Sequence, residues 1–464
     1  MELDAVLLAR LQFAFTVAFH IIFPTFTIGL SGFIATLLVM WQRSGEERYR
    51  VLARFWTRIF AVSFAMGVVS GIVLSYQFGT NWSRFSLVVG NVVSPLIGYE
   101  VLTAFFLEAT FLGIMLFGWN RVPPWVHVLS AILVAIGTVT SSFWIISANS
   151  WMQVPAGHIV RDGIAYPADW LAVIFNPTFA IRLVHMVTAA YLTTSFVVIA
   201  VGARYLIGGR YREHARTMLK MGIAMAAVMA PLQLFIGDRH GLQVAEYQPA
   251  KLAAIEGHWQ DDGPAPLVLF AIPNRATESN DYEVSIPNGA SLVVTHSLDG
   301  RFKGLKDFAP EDRPPVAWPF FAFRLMVGIG VLMIGMGLWG AWLWWRGRLE
   351  ASPLFLRLAA LSWPAGFIAI LAGWTVTETG RQPWLATGIL RTADAVSPVP
   401  AAAVATTLVL FVVVYGIVFA AGILYMNRLI NRGPTGEGVP VEGVPSRPIS
   451  AAEGVGEKLF GKGG

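Results

Sequence analysis

Nine stretches of this chain are each apolar for about as long as a bilayer core is thick, and few folds can use such a pattern. Crossing the hydrocarbon takes about 20 apolar residues in a helix. Runs of that kind occupy residues 8–40, 55–79, 94–119, 125–149, 178–205, 217–236, 317–345, 356–379 and 401–427. Composition agrees: 55% of residues are hydrophobic and only 13% charged, with a mean hydropathy of +0.61. A soluble domain carries about 25% charged residues. The pattern predicts an all-α integral membrane protein of nine transmembrane helices.

Charge sets the expected orientation. Arg43, Arg48, Arg50 and Arg54 follow the first run, Arg204 to Lys220 the fifth, Arg346, Arg348 and Arg357 the seventh, and Arg428 and Arg432 the ninth. The alternate connections carry only scattered positives. The positive-inside rule then puts the N-terminus outside and the C-terminus in the cytoplasm. The same placement makes the net charge of +5 a topology signal rather than a nucleic-acid patch. The first run is too long and lacks the basic flank of a cleaved signal peptide, so it reads as a retained helix. Four segments follow: helices 1–6 over 1–236, an extracytoplasmic loop over 237–318, helices 7–9 over 319–432, and a Gly/Pro-rich flexible cytoplasmic tail over 433–464. The loop is long and its composition suggests little regular structure, which points to function.

The chain has no Cys, which excludes disulfides, iron–sulfur clusters and thiolate-ligated or covalently attached haem. Any metal centre must use His, Met, carboxylate or backbone ligands. An ionisable group inside a span costs about 2.5–3.5 kcal/mol on insertion scales, so each one asks for a reason. They are His20, Glu100, Glu108, Arg182, His185, Arg324 and Glu378.

His185 and Met326 each fall about seven residues into spans that enter from the outside, so they share a depth of about 10 Å. Such a pair can supply both axial ligands of one haem, and the nearby Arg182 and Arg324 suit its propionates. The plainer alternative is that Met326 is packing and His185 a hydrogen-bonded structural residue. Glu378 lies at a helix end between Trp374 and Arg381, where a ligand, a proton carrier and a solvated terminus are all open readings. Glu108 lies about 12 Å deeper than Glu100 on an ideal helix, rotated by about 80°. Staggered carboxylates suggest a proton path, against the alternative of two protonated structural glutamates. His127, His158, His214, His240, His258 and His296 receive no role.

The segments RLQFAFTVAFHIIFPTFTIGL (10–30), QFGTNWS (77–83), EVLTAFFLEATFLG (100–113), ANSWMQVP (148–155), KLAAIEGHW (251–259), FAFRLMVG (321–328) and GRQPW (380–384) resemble subunit I of cytochrome bd quinol oxidases. The resemblance runs to about Arg432. It implies that His185 and Met326 are axial ligands of a low-spin haem b, with Arg324 stabilising it. It implies that His20 and Glu378 each ligate a high-spin haem, one a haem b and the other haem d or a further haem b, with Trp374 between haems and Arg381 in the same motif. Glu100 then lies beside the oxygen-reducing haem, Glu108 and Ser141 belong to its proton path, and Lys251 and Glu256 to the quinol-binding loop. The chain passes quickly from GLKDFAPEDRPPVAWPF into the seventh span, which resembles the short-loop branch of the family, including cyanide-insensitive forms. Implied partners are a second membrane subunit, in some members a small single-span subunit, quinol, O2 and the lipid bilayer, in a bacterial cytoplasmic membrane. Two other classes fit the spans alone: a proton-coupled transporter, and a haem-b electron carrier that does not reduce O2. A reduced-minus-oxidised spectrum taken with and without carbon monoxide separates all three.

Overall fold

The computed structural model describes residues 4–434. Eight of its helices are long and apolar enough to cross a membrane, and a bent pair makes the ninth. The spans are Ala5–Ser44, Glu47–Thr80, Ser83–Phe117, Pro124–Gln153, Phe179–Ile207, Arg212–Tyr247, Ala317–Trp345, the pair Pro353–Leu361 and Ala365–Thr379, and Ala401–Arg432. The bent pair turns by 43° where a single run was expected. Pro364 accounts for the break: it has no N–H to donate and pushes Trp363 out of helical geometry. The expected tail over 433–464 lies outside the described residues except for its first two.

Two sequence boundaries move. The sixth helix continues to Tyr247, where hydropathy alone ended it at 236. Its last turns, GDRHGLQVAEY, are polar enough to leave the apolar run yet contain nothing that stops a helix. The loop that follows is more ordered than its composition suggested. It holds the helix Pro249–Glu256, a hairpin of Leu267–Asn274 with Ser279–Ile286, and a short helix Gly289–Thr295. The hairpin register pairs Phe270 with Val284 and Ile272 with Asp281. Two smaller hairpins complete the β-structure among the described residues.

The first and fifth spans are the most completely buried, so the other helices pack around that pair. Lipid tails are as apolar as leucine, so helices in a bilayer associate through close packing and hydrogen bonds. Small residues provide both here. A Cβ on Gly29 would fall 2.7 Å from the Ala190 carbonyl oxygen, and Thr194 in the next turn donates to the Phe26 carbonyl at 3.1 Å. Gly222 does the same between the fifth and sixth spans, where an added Cβ would lie 3.1 Å from the Ser195 carbonyl oxygen.

Overpacking such a seam costs about 1–3 kcal/mol. Gly29→Leu is therefore expected to lower the thermal unfolding midpoint of the purified protein. Gly113→Ala, where an added methyl meets nothing within 4 Å, is expected to leave it unchanged.

Candidate functional site

The end of the bundle that carries the long loop concentrates the buried polar groups. The fourth span ends there with Asn149, Ser150 and Gln153, and the eighth with Glu378. Arg182 lies near the start of the fifth span, and the loop helix Pro249–Glu256 adds Lys251. Asn149 donates to Glu378 Oε1 at 3.0 Å, and Arg381 pairs with the other carboxylate oxygen. Arg182 donates to Ser150 Oγ at 2.8 Å and to Asn149 Oδ1 at 2.5 Å. Lys251 Nζ donates to Gln153 Oε1 at 2.5 Å and to Gln248 Oε1 at 2.8 Å. One network thus joins three spans and the loop.

Three cations in this network face one carboxylate. Burial pushes the Lys251 ammonium well below the usual lysine range, the positive charges of Arg182 and Arg381 push it further, and Glu378 opposes them. Arg381 is buried and two of its nitrogens, Nε and Nη1, have no partner among the described residues. Buried charge with unpaired donors is costly unless an anion completes it. A haem propionate has the charge and the acceptor oxygens to do so.

Lys251 and Glu256 share one short helix but face different neighbours. Glu256 is buried with Oε2 unpartnered, and its nearest charge is Arg324 Nη2 at 4.0 Å. Burial raises the Glu256 carboxyl, and Arg324 only partly offsets that. Arg324 itself is committed to backbone. It donates to the carbonyls of Val268 at 2.8 Å, Ile255 at 2.8 Å and Phe320 at 3.0 Å, and its guanidinium lies over the Phe320 ring. It ties the loop helix, the hairpin and the seventh span together, and so fixes Glu256.

His20 has one ring nitrogen engaged and the other free of a hydrogen-bond partner among the described residues. Its Nδ1 lies 3.0 Å from Ser70 Oγ, and that hydroxyl is within donating distance of the Met66 and Gly67 carbonyls. Ser70 has one proton; giving it to the backbone makes its oxygen the acceptor of Nδ1–H. The Nε2 lone pair is then left for a metal. Gly71 admits the ring closely: a Cβ there would fall 3.1 Å from His20 Cε1.

His185 meets the sixth span at Gln233, Gly237 and His240. The Gln233 amide nitrogen lies 3.3 Å from Nδ1 and 3.2 Å from Nε2, and the His240 ring centroid is 5.2 Å away. Met326 faces the eighth span, where a Cβ on Gly373 would come within 3.0 Å of its sulfur. Trp374, adjacent to that glycine, is half-buried one turn before Glu378. Among the described residues no three His, Asp or Glu side chains converge to chelate a bare ion. Isolated ligands of this kind suit an iron that brings its own ring of donors, as a haem does.

Glu100 and Glu108 both face the fourth span. Ser141 donates to Glu100 Oε1 at 2.8 Å, and a Cβ on Gly137, one turn away, would lie 2.7 Å from Glu108 Cγ. The expected rotation of about 80° between them is corrected by the π turn Val101–Phe105 that separates them. A π turn takes in one extra residue, so eight residues count in phase as about seven, which return to nearly the same face. Glu108 is buried with Oε1 unpartnered.

Sequence reasoning missed Asn149, Gln153, Gln233, His240 and Gln248. Asn149 and Gln153 at i and i+4 mark a polar stripe that spacing alone could have revealed. Gln233 falls within the sixth apolar run but was passed over there, and His240, given no role in the sequence, lies on the continuation of the sixth helix beyond that run.

Comparisons with known proteins identify the family of the chain. The family model described as cytochrome bd terminal oxidase subunit I matches residues 8–434. Cytochrome bd ubiquinol oxidase subunit 1 of Bacillus subtilis (strain 168) is 36% identical, over 93% of this chain and 94% of that protein. Cytochrome bd-II ubiquinol oxidase subunit 1 of Escherichia coli (strain K12) is 33% identical, over 93% and 97%. The solved bd oxidase from Geobacillus thermodenitrificans superposes with a TM-score of 0.86 at 33% identity, covering 93% of this chain and 99% of that one. The chain therefore belongs to the cytochrome bd terminal oxidase subunit I family, the haem-bearing catalytic subunit of a quinol:oxygen oxidoreductase.

Proposed function

We propose that the loop-bearing end of the bundle faces outside a bacterial cytoplasmic membrane and oxidises quinol there, while oxygen is reduced to water with protons drawn from the cytoplasm. The positive-inside pattern supports that orientation. The observation that carries the reading is the buried network of Arg182, Glu378, Arg381 and Lys251, because its unpaired cationic donors call for an anion inside the bundle. His185 and Met326 are the ligands of the low-spin haem b. His20 and Glu378 hold the two high-spin haems, one a haem b and the other haem d or a further haem b, with Trp374 between them. Haem iron held by these residues would supply one-electron chemistry and the site at which O2 is reduced.

The protein's own groups bind the substrate and move protons. Lys251 and Glu256 line the quinol site, with Arg324 holding Glu256 in place. A quinol hydroxyl must lose its proton as electrons leave, and the unpartnered Glu256 Oε2 is the acceptor within the loop helix. The raised Glu256 carboxyl titrates above the usual glutamate range. It is a base only when ionised, so quinol oxidation is expected to rise with pH through that range. Glu256→Gln is expected to lower kcat and to flatten the rise, measured as oxygen uptake against pH; a profile identical to wild type would remove Glu256 from this role.

Protons for oxygen reduction pass from Glu108 to Glu100 and Ser141 along the face of the fourth span. Charge separates because quinol oxidation releases its protons outside while oxygen reduction takes its protons from the cytoplasm, without a separate pump. Glu108→Leu is expected to slow turnover by about 10²-fold or more, the scale of a lost proton-transfer group, with haem spectra intact. Unchanged oxygen uptake would exclude Glu108. The working complex includes subunit II, and in some members of the family a small single-span subunit. With the helix ends at Tyr247 and Ala317, the quinol loop is the segment between those two residues and the two halves of the bundle flank it.

A further inference from the structure

Polar residues of two sequence motifs meet beside His20 and take no part in the scheme above. On the first span Gln12, Thr16 and His20 recur at every fourth residue, so they share one helix face. The second span answers each of them. Asn81 donates to Gln12 Oε1 at 2.9 Å, Gln77 donates to Thr16 Oγ1 at 2.6 Å, and Ser70 Oγ lies 3.0 Å from His20 Nδ1. Gln12, Thr16, Ser70, Gln77 and Asn81 are all buried. From the ninth span Thr407 donates to Gln12 Oε1 at 3.2 Å. Side chains that hydrogen-bond across helices hold them together in hydrocarbon. These bonds therefore decide which residue of the second span stands beside the imidazole.

Ser70 and Gly71 grip one edge of that ring. Ser70 meets Nδ1, and an added Cβ on Gly71 would lie 3.1 Å from Cε1, the next ring atom. With those two atoms held, the ring cannot swing about its bond to Cβ, and Nδ1 stays against the second span. The Ser70 hydroxyl lies 2.9 Å from the Met66 carbonyl and 3.0 Å from that of Gly67. Its single proton goes to one of them, so its oxygen faces the ring as an acceptor. The Gly67 carbonyl is the other oxygen beside the ring, but it already receives the Gly71 N–H of the helix.

We propose that Ser70 is a positioning residue for His20: by accepting the Nδ1–H it holds the ring for ligation through Nε2 and sets how electron-rich that ligand is. The inference rests on the reading of His20 as a haem ligand. An imidazole that ligates through one nitrogen carries its proton on the other, and an acceptor there raises its basicity. A more basic ligand favours the ferric state, one of the means by which a protein tunes a haem. A hydroxyl is a neutral acceptor and pulls less on the proton than a carboxylate would. His20 thus stays a neutral imidazole whose donor strength depends on that one bond.

The test uses the purified, reduced complex of wild type, Ser70→Ala and Ser70→Thr. Resonance Raman spectroscopy reads the iron–histidine stretch, and an optical redox titration reads the midpoint potential, of the high-spin haem. Alanine removes the acceptor, so the stretch is expected to fall in frequency and the midpoint to rise. Threonine keeps the hydroxyl, so both readouts are expected to stay nearer wild type than in Ser70→Ala. Unchanged values in Ser70→Ala would overturn the proposal, since the Gly67 carbonyl would then suffice. Equal shifts in the two variants would overturn it too, as the mark of disturbed packing. If Ser70→Ala does not assemble, Ser70→Cys fills the same space with a weaker acceptor and must lower the stretch; no change there overturns the proposal. His20→Ala separates the two levels. Loss of the iron–histidine band there upholds the ligation reading whatever Ser70 does, and retention of the band would sink that reading and this inference with it.

Discussion

A charge placed in hydrocarbon must be matched within the protein, and the loop-bearing end of this bundle is organised by that requirement. Glu378 alone would be costly there, as would Arg182, Arg381 or Lys251. Joined through Asn149, Ser150, Gln153 and Gln248 they form a network in which most donors and acceptors are satisfied. The remaining excess is positive. A partly satisfied buried network is normally worse than an apolar core, so two unpaired nitrogens on a buried arginine mark a place where something else completes the structure. The network also explains why the loop helix is docked rather than loose: Lys251 reaches into it from one side, while Arg324 staples the same helix from the other through three backbone carbonyls.

The half-buried His and Met side chains follow a second rule, close approach. His20 faces Gly71, His185 faces Gly237 and Met326 faces Gly373. These three side chains each lie against a residue without a side chain on a neighbouring helix. The same economy packs the first span onto the fifth at Gly29. Small residues thus serve two purposes: they let helix backbones meet where no ligand is needed, and they leave room beside the side chains that hold one.

The glutamate pair shows how a local irregularity redirects chemistry. In a regular helix Glu100 and Glu108 would point in different directions. The π turn between them brings both carboxylates onto the fourth span, one turn apart at Gly137 and Ser141. π turns are rare and appear frequently at functional sites. Here the extra residue aligns two acids that lie at different depths, which is what a stepwise transfer of protons along one helix face requires.

Hydropathy alone determined the class of fold, a bundle of apolar helices, because a bilayer leaves the backbone few ways to satisfy its own hydrogen bonds. The sequence also picked out His20, Glu100, Glu108, His185 and Glu378, since ionisable residues are scarce in apolar runs. It could not show which of them meet. The break at Pro364, the π turn after Glu100 and the continuation of the sixth helix to Tyr247 each change the direction in which a side chain points, and none alters mean hydropathy. Asn149 and Gln153 were legible as a polar stripe, but their partners Glu378, Arg182 and Lys251 became visible only once the helices were assembled. A neutral amide costs little to hide in a sequence pattern, and its value depends entirely on the charged or ligating group that the tertiary structure sets beside it.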